Sequence, residues 1–476
     1  MKPLRLIVLP VVALSVVALR VSAQSTKEQA VDKIFAEWDK LSSPGCAVGA
    51  LQNGRFLYKR GYGSANLDYD IPNAPEMVYY VGSDSKQFTA ATVALLSLQG
   101  KLSLDDDIRK YLPEMPDYGT PVTIRNLIHH TSGIRDMYAL MTLRGDRMED
   151  VFPDSEAIAL IARQKGLAFA PGSQYSYSNS GYFLLAQIVK RVTGKSLREV
   201  ADEQIFQPLG MTHSHFHDDP GHVMKQRAMS YERDSLGNFR ISYLQNFDKI
   251  GAGGLYTTLD DLRKWDENFY TKKVGGDALQ KLIHRRGVLT NGDTLPYAFG
   301  NEIRTSRGLR TVEHGGALMG YKAYILRYPD QHFSVLMTCN LGAIEPGPLA
   351  HSVAEVYLAD KMGPPQVAAA PAARQASTSA TANSVPSAAD VGALVGNYYS
   401  EDLDVIYHVV RSDDGQLALI MPGRAPIVLI ATEPNVFRTA GAGGMTLRFE
   451  RANSSAPASG AVIRFPRIGE MRLVRR

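Results

Sequence analysis

Apolar residues recur at helical spacing in several stretches of the chain, and a glycine follows closely where two of these stretches end. The pattern predicts one helix from Ser83 to Gln99 and another from Ser180 to Val192. Capping signals predict further helices, because Ser and Thr side chains accept hydrogen bonds from the first free N–H groups of a helix. One helix follows the Ser196/Glu199 capping box, and another runs from Leu262 to Phe269 after Thr258 and Asp261. A helical stretch from Leu349 to Leu358 closes this part of the chain.

Strand-like runs lie on both sides of this helical part. Gly45 to Leu51 and Arg55 to Arg60 flank Asn53-Gly54, a residue pair typical of a tight hairpin turn. One later strand is predicted to end at His314, with Gly315 and Gly316 directly after it. The later strands are predicted from Arg310 to His314, from Lys322 to Tyr328 and from Phe333 to Asn340.

The composition changes after residue 362. Residues 363–389 are mainly Ala, Pro, Ser and Thr, with a single charge at Arg374. Such a segment buries too little apolar surface to offset its ordering entropy, so we predict a flexible linker between a domain of residues 24–362 and a second domain. Residues 390–476 contain short alternating runs and the turn pair Asp414-Gly415, which predict a small all-β module.

The first 23 residues have the pattern of a cleavable export signal. Lys2 and Arg5 precede an apolar run from Leu6 to Leu19, and Val21-Ser22-Ala23 offers the small residues at which a signal peptidase cuts. A membrane anchor is the alternative, but the run is shorter than the roughly 20 residues that span a bilayer. We therefore predict cleavage after Ala23 and a periplasmic or secreted protein with no stable membrane anchor.

Export bears on the two cysteines, Cys46 and Cys339. Each lies in an apolar, strand-like run, and an oxidising compartment would allow them to pair. Two buried free thiols fit the same sequence, because the sequence alone does not establish how close their Cα atoms are.

Composition and charge exclude several functional classes. The 476 residues are 45% hydrophobic and 21% charged, which excludes wholesale disorder, collagen-like repeats and a coiled coil. The formal net charge of +4 falls to +1 without Lys2, Arg5 and Arg20, which lie in the predicted signal. The mature chain therefore has no global charge that would favour binding to nucleic acid or to an anionic membrane.

The first chemical signal is Ser83-Asp84-Ser85-Lys86, at the start of a predicted helix. Three residues are almost one helical turn, so Ser83 and Lys86 point to the same side. A serine hydroxyl is a weak nucleophile that needs a base, and a lysine can be that base when burial and the helix dipole disfavour its ammonium form. The tetrad alone is weak, because it occurs by chance in many proteins.

Two further clusters strengthen this signal. Tyr177-Ser178-Asn179 precedes the second predicted helix, where a phenol can relay a proton and an amide can hold a lysine. In His314-Gly315-Gly316, the glycines would let a substrate backbone approach closely. Taken singly, the clusters are better explained as a surface loop, a helix cap and a strand end. Their joint occurrence in this order favours a catalytic site.

With these three motifs the chain resembles the serine β-lactamases and penicillin-binding proteins. It is most similar to the branch of class C β-lactamases, D-aminopeptidases and carboxylesterases, over about residues 30 to 360. The resemblance implies an α+β fold in which an antiparallel sheet, built from both ends of the domain, is flanked by helices beside an all-helical subdomain. It also implies that Cys46 and Cys339 fall on adjacent strands. Residues 390–476 resemble the lipocalin-like β-barrels that are appended to some of these peptidases.

The resemblance implies catalytic roles. Ser83 would be the acyl-accepting nucleophile, and Lys86 and Tyr177 would be the base and the proton shuttle, although the family's motifs do not decide which takes the first proton. The backbone N–H groups of Ser83 and Ala317 would form the oxyanion hole.

The resemblance also implies substrate contacts at Asn179, His314 and Gly316. Many family members carry a lysine, which attracts a substrate carboxylate, where His314 stands. Histidine is mostly neutral at pH 7 and is a weaker anion site. This difference favours the peptidase and esterase members over efficient β-lactam hydrolysis.

The sequence therefore predicts an exported serine hydrolase that acts through an acyl-enzyme on peptides containing a D-amino acid, among them peptides derived from peptidoglycan. A carboxylesterase and a β-lactamase are the alternatives within the family. The alternatives from other classes are a catalytically silent sensor and a ligand-binding barrel protein.

We predict no cofactor and no metal, although one histidine cluster is dense: His213, His215, His217 and His222. A solvated loop is preferred to zinc there, because no usual zinc spacing fits.

Overall fold

The computed structural model describes residues 26–242, 246–364, 391–412, 415–440, 444–453 and 456–476. The predicted signal (residues 1–23), nearly all of the predicted linker and Asp414 of the predicted turn lie outside the described residues. In the described part of the chain, none of the helices combines the length and the apolar character that crossing a bilayer requires.

The helices before residue 365 are α1 (26–35), α2 (Ser85–Leu98), α3 (Ile124–Ile128), α4 (Met137–Arg144), α5 (Asp154–Ala162), α6 (Asn179–Thr193), α7 (Leu197–Ala201), α8 (Gln207–Leu209), α9 (Leu259–Thr271), α10 (Gly276–Ile283) and α11 (Pro346–Leu358). The strands are β1 (Cys46–Gln52), β2 (Arg55–Tyr62), β3 (Ser64–Asn66), β4 (Ile71–Pro72), β5 (Tyr79–Tyr80), β6 (His215–Phe216), β7 (Tyr231–Arg233), β8 (Phe239–Ile241), β9 (Leu255–Thr257), β10 (Glu302–Ser306), β11 (Leu309–Leu318), β12 (Tyr321–Tyr328), β13 (Phe333–Cys339), β14 (Gly396–Ser400), β15 (Val405–Arg411), β16 (Leu417–Ile420), β17 (Ile427–Glu433), β18 (Val436–Thr439), β19 (Thr446–Glu450), β20 (Gly460–Phe465) and β21 (Gly469–Arg475).

A six-stranded antiparallel sheet, in the order β10-β11-β12-β13-β1-β2, joins the two ends of the first domain. Helices cover both of its faces, which explains why β1 is buried from Cys46 to Leu51 and β13 over its whole length. In β1, Val48 points towards a core shared with α1 and α11, whereas Ala47 and Leu51 point towards the core that contains α2 and α9. The α+β fold expected from the resemblance is confirmed.

Cys46 and Cys339 lie directly opposite each other on β1 and β13 and form a disulfide. Of the two possibilities that the sequence leaves open, the structure has the covalent pair. Both cysteines are fully buried on the face of the sheet that α1 and α11 cover.

The strand that carries the third motif is longer than predicted. The predicted end at His314 is wrong, because β11 continues through Gly315 and Gly316 to Leu318. Gly316 pairs with Ala323 of β12 in unbroken antiparallel register. Glycine weakens a strand by itself, but pairing with β12 holds this stretch extended.

Strands β14 to β21 form a closed antiparallel barrel, in which β14 pairs with β21. The closure leaves no free sheet edge in the ring. The barrel contacts the helical part of the first domain around α4. The Tyr407 hydroxyl, for example, donates a hydrogen bond of 2.8 Å to the carbonyl oxygen of Leu143.

Candidate active site

Ser83 lies on a single 3₁₀ turn, Gly82–Asp84, that leads directly into α2. The short strand β5 delivers the chain to this turn, and the N–H of Val81 donates to the carbonyl oxygen of Leu255, 3.0 Å away. Ser83 is half-buried at the wall of a cleft of about 880 Å³. The predicted nucleophile is thus accessible from the cleft.

Lys86 lies one turn below Ser83 and is fully buried. Its Nζ is 3.0 Å from Ser83 Oγ and 3.0 Å from Asn179 Oδ1, and it donates to the carbonyl oxygen of Ala252 at 2.5 Å. Burial lowers the pKa of Lys86 to about 7, an effect that the Asp136 carboxylate opposes and the Arg467 guanidinium reinforces. A substantial fraction of this lysine is therefore neutral at pH 7 and able to accept a proton.

Asn179, the first residue of α6, is held by Asp136, which is not among the predicted site residues. The Asp136 carboxylate accepts hydrogen bonds from the backbone N–H of Asn179 at 2.6 Å and from its Nδ2 at 2.9 Å. The amide oxygen of Asn179 is thereby directed at Lys86. Asp136 also caps α4, accepting from the N–H groups of Tyr138 and Ala139.

That capping role is a signal that the sequence contains, since Asp136 directly precedes an apolar run. Its contact with Asn179 joins residues 43 positions apart. No local pattern predicts such a contact.

Tyr177 lies against the same lysine. Its ring centroid is 4.8 Å from Lys86 Nζ and 4.2 Å from the ring centroid of His130. Burial raises the pKa of Tyr177 well above its usual value, and interaction with the Ser83 hydroxyl opposes the rise. The phenol is protonated at neutral pH, which suits a group that passes a proton on.

The third motif reaches Ser83 because two glycines permit a very close approach of β11 to the 3₁₀ turn. A Cβ on Gly316 would lie 1.8 Å from the carbonyl oxygen of Val81 and 3.0 Å from the nitrogen of Ser83. A Cβ on Gly82 (φ +53°) would lie 2.5 Å from the nitrogen of Ala317. These close approaches bring the backbone at Gly316 and Ala317 next to the backbone of the turn that carries Ser83.

His314 is buried beside Tyr177, and its Nδ1 is 2.8 Å from the carbonyl oxygen of Gly315. Burial lowers the pKa of His314 to about 3, with a smaller contribution from the charge of Lys86. The side chain is neutral at pH 7. Asp84 Oδ1 lies 3.7 Å from the imidazole, and burial raises the pKa of this carboxyl well above its usual value.

The structure brings every predicted site residue together. Lys86 lies beneath the cleft floor, and the others line the cleft itself: Ser83, Tyr177, Asn179, His314, Gly316 and Ala317. Arg467, which belongs to the barrel, lines the same cleft and was not predicted from sequence.

Of the four histidines in the predicted cluster, His215, His217 and His222 lie together, and His213 lies apart from them. His215 Nε2 is 3.3 Å from His217 Nδ1, and the His222 ring joins these two, whereas the His213 N–H binds the carboxylate of Asp261. His217 is buried, so the solvated loop expected here is wrong for that residue. Among the residues that the structure describes, no group of three or more His, Cys, Asp or Glu side chains is arranged to hold a metal ion.

A model of the β-lactamase family matches residues 30–380. The chain belongs to the β-lactamase family. This assignment confirms the resemblance that the three motifs carry.

Two of the proteins to which this chain is similar are D-aminopeptidases. The D-aminopeptidase of Gluconobacter oxydans (strain 621H) is 32% identical over 302 residues, which are 63% of this chain and 56% of the relative. That of Brucella anthropi is 31% identical over 297 residues, or 62% of this chain and 56% of the relative. The chain thus spans little more than half the length of these curated relatives.

Solved structures share the fold. The octameric penicillin-binding protein homologue from Pyrococcus abyssi has a TM-score of 0.62 at 23% identity, covering 95% of this chain and 99% of that one. The D-amino acid amidase from Ochrobactrum anthropi SV3, complexed with L-phenylalanine amide, has a TM-score of 0.58 at 18% identity, covering 71% and 99%.

Proposed function

We propose that this chain is an exported serine hydrolase that forms an acyl-enzyme on Ser83 and cleaves amide bonds in substrates containing a D-amino acid. One observation carries the chemistry: the buried Nζ of Lys86, with a pKa of about 7, lies 3.0 Å from Ser83 Oγ. A buried, partly neutral lysine that contacts a serine hydroxyl is an activated nucleophile pair.

In the proposed first half-reaction, Ser83 Oγ attacks the substrate carbonyl carbon while its proton passes to neutral Lys86. The new C–O bond leaves the negative charge on the former carbonyl oxygen, which the N–H groups of Ser83 and Ala317 stabilise. The C–N bond then breaks, and the leaving nitrogen receives the proton through Tyr177. Asn179 keeps the lysine in place through its Oδ1.

In the second half-reaction, water attacks the ester on Ser83. Lys86 and Tyr177 remove a proton from this water and return one to Ser83 Oγ as the acyl group leaves. Every proton transfer in this cycle uses groups that already line or underlie the cleft. No cofactor is required.

Two observations favour D-amino-acid amides and peptides as substrates. The first is the name of the relatives, D-aminopeptidase, at 32% and 31% identity. The second is the neutral state of His314, which leaves the third motif without the cation expected of an efficient β-lactamase.

Export is proposed from the N-terminal pattern of the sequence and is supported by the disulfide. A buried disulfide between the central strands of a domain is typical of proteins that fold in an oxidising compartment.

The test is hydrolysis by the mature protein of N-acetyl-D-alanine p-nitroanilide and of its L enantiomer, with a p-nitrophenyl ester as a general acyl donor. Wild type should cleave the ester and the D-anilide, prefer D over L, and lose both activities in Ser83→Ala. A matched control is Ser85→Ala, which changes a neighbouring hydroxyl that donates to the carbonyl oxygen of Gly82 and lies outside the cleft. Hydrolysis retained by Ser83→Ala, or an L preference, would contradict the proposal.

A further inference from the structure

The barrel is docked onto the first domain by a nearly buried ion pair. The Arg135 guanidinium, 7% exposed, is 2.6 Å from a carboxylate oxygen of Asp402 and donates to the carbonyl oxygen of Glu470 at 2.8 Å. Gln164 donates to the backbone oxygen of Asp402 at 2.9 Å. These contacts hold β21, which contains Glu470, and with it the turn between β20 and β21. That turn contains Arg467, which lines the cleft.

The backbone of this turn is anchored to the catalytic centre. The carbonyl oxygen of Arg467 accepts a hydrogen bond of 3.1 Å from the N–H of Asp136, the residue whose carboxylate holds Asn179. Arg467 itself is in the left-handed region, at φ +63°. A residue held there by both domains presents its side chain in a defined direction.

That direction is into the cleft. The guanidinium carbon of Arg467 lies 5.1 Å from the ring centroid of Tyr177, and Arg467 lines the same cleft as Ser83. Within the described ranges, no carboxylate lies at ion-pair distance from this guanidinium. The charge of Arg467 is therefore available to a ligand.

The other charges at the cleft do not neutralise it. Glu302 already pairs with Arg304, and Glu313 lies 3.1 Å from His351 Nε2. Glu345 is exposed, and Lys322 adds a second positive charge. His314, where other family members place a cation, is neutral.

We propose that Arg467 is a specificity-determining residue that the barrel contributes to the active site, and that it binds a carboxylate on the leaving group of the substrate. The position over Tyr177 favours the leaving-group side, because Tyr177 passes the proton to the leaving nitrogen in the proposed cycle. In an amino-acid leaving group, the α-carboxylate is separated from that nitrogen by a single carbon atom. The inference rests on the proposed function and refines it: the substrate is a peptide that ends in a free carboxylate next to the scissile bond.

This assignment predicts a charge preference that differs from that of an enzyme recognising a free amino terminus. A cation at this position attracts a carboxylate and repels an ammonium group. A charge-assisted hydrogen bond to an exposed arginine corresponds to a preference of about tenfold.

The test compares the hydrolysis of N-acetyl-D-alanyl-D-alanine with that of its C-terminal carboxamide, which is nearly isosteric and uncharged. Wild type should show a kcat/KM about tenfold higher for the acid. In Arg467→Gln this ratio should fall to about one through loss of activity on the acid, and Arg467→Lys should retain part of it. The matched control is Arg464→Gln, an exposed arginine of β20 outside the cleft, which should keep the wild-type ratio. An unchanged ratio in Arg467→Gln would overturn the assignment.

A second measurement separates this proposal from the proposed function. If wild type cleaves neither peptide but shows Ser83-dependent ester hydrolysis, the D-peptide substrate is wrong. The carboxylate site is then tested by inhibition of ester turnover with N-acetyl-D-alanine and with its amide. Stronger inhibition by the acid in wild type and in Arg464→Gln, lost in Arg467→Gln, would support the site, and equal inhibition by acid and amide in wild type would refute it.

Discussion

At the scale of single residues, the site depends on placing a lysine where water cannot stabilise its charge. The spacing of Ser83 and Lys86 puts both on one side of a helical turn, and the pair was predicted once the other two motifs were taken with it. The depressed pKa of Lys86 arises from complete burial, which depends on side chains far away in sequence. The motif residues could be predicted, whereas Asp136 and Arg467 could not, because each acts only through a tertiary contact.

The first prediction concerns pH. Because only the neutral form of Lys86 accepts the serine proton, kcat/KM for a p-nitrophenyl ester should rise with pH through an apparent pKa of about 7. His314, whose pKa is about 3, should cause no further change in kcat/KM between about pH 5 and 8. A rate that falls over this interval would mean that the lysine acts as a cation.

The second prediction concerns Asp136→Asn. Loss of the carboxylate weakens the hold on Asn179 and removes a negative charge that raises the pKa of Lys86. We expect kcat to fall about tenfold, and we expect the apparent pKa of the kcat/KM profile to move below about 7. Asp107→Asn is the matched control, because Asp107 also caps a helical turn but lies outside the cleft. A fall in activity without movement of this apparent pKa would assign Asp136 a structural role only.

At the scale of elements, the site is a junction of three: the 3₁₀ turn before α2, the start of α6, and β11. Turn residues and apolar spacing predicted α2, α6, α9 and the β1–β2 hairpin closely, since these are local signals. The helices α3, α4, α5 and α10 were not predicted from the sequence. The end of β11 was misplaced because glycine usually interrupts a strand, and the pairing of Gly316 with Ala323 cannot be seen locally.

The third prediction follows from that junction. Gly316→Ala places a methyl group 1.8 Å from the backbone oxygen of Val81, so β11 and the 3₁₀ turn must separate. A displacement of about 1 Å should lower kcat about 100-fold. Gly166→Ala, whose new methyl group has open space around it, is the control and should keep wild-type activity. Equal activity of the two variants would show that the close approach of β11 is not required.

At the scale of the whole molecule, a disulfide links the neighbouring strands β1 and β13, and the barrel contributes Arg467 to the cleft. The disulfide joins residues 293 positions apart in sequence, so it restricts the unfolded chain strongly. The barrel was predicted as a separate all-β module, but its contact with the catalytic centre depends on Arg135 and Asp402, whose pairing spans both domains.

The fourth prediction concerns this covalent link. The double variant Cys46→Ala/Cys339→Ala should lose about 2–5 kcal/mol in its free energy of unfolding, measured by denaturant titration against wild type. Ester turnover per folded molecule should be nearly unchanged at low temperature, because the cysteines belong to the core on the α1 and α11 side, away from Ser83. Unfolding curves that coincide, with and without reductant, would contradict the stabilising role.

The central claim is that catalysis passes through an ester on Ser83, and intact-mass spectrometry of a rapidly quenched reaction tests it most directly. With a slowly deacylating p-nitrophenyl ester, wild type should gain the mass of one acyl group per chain, mapped by proteolysis to Ser83, while Ser83→Ala should gain none. Steady turnover without any adduct, or an adduct mapped to another residue, would contradict the account.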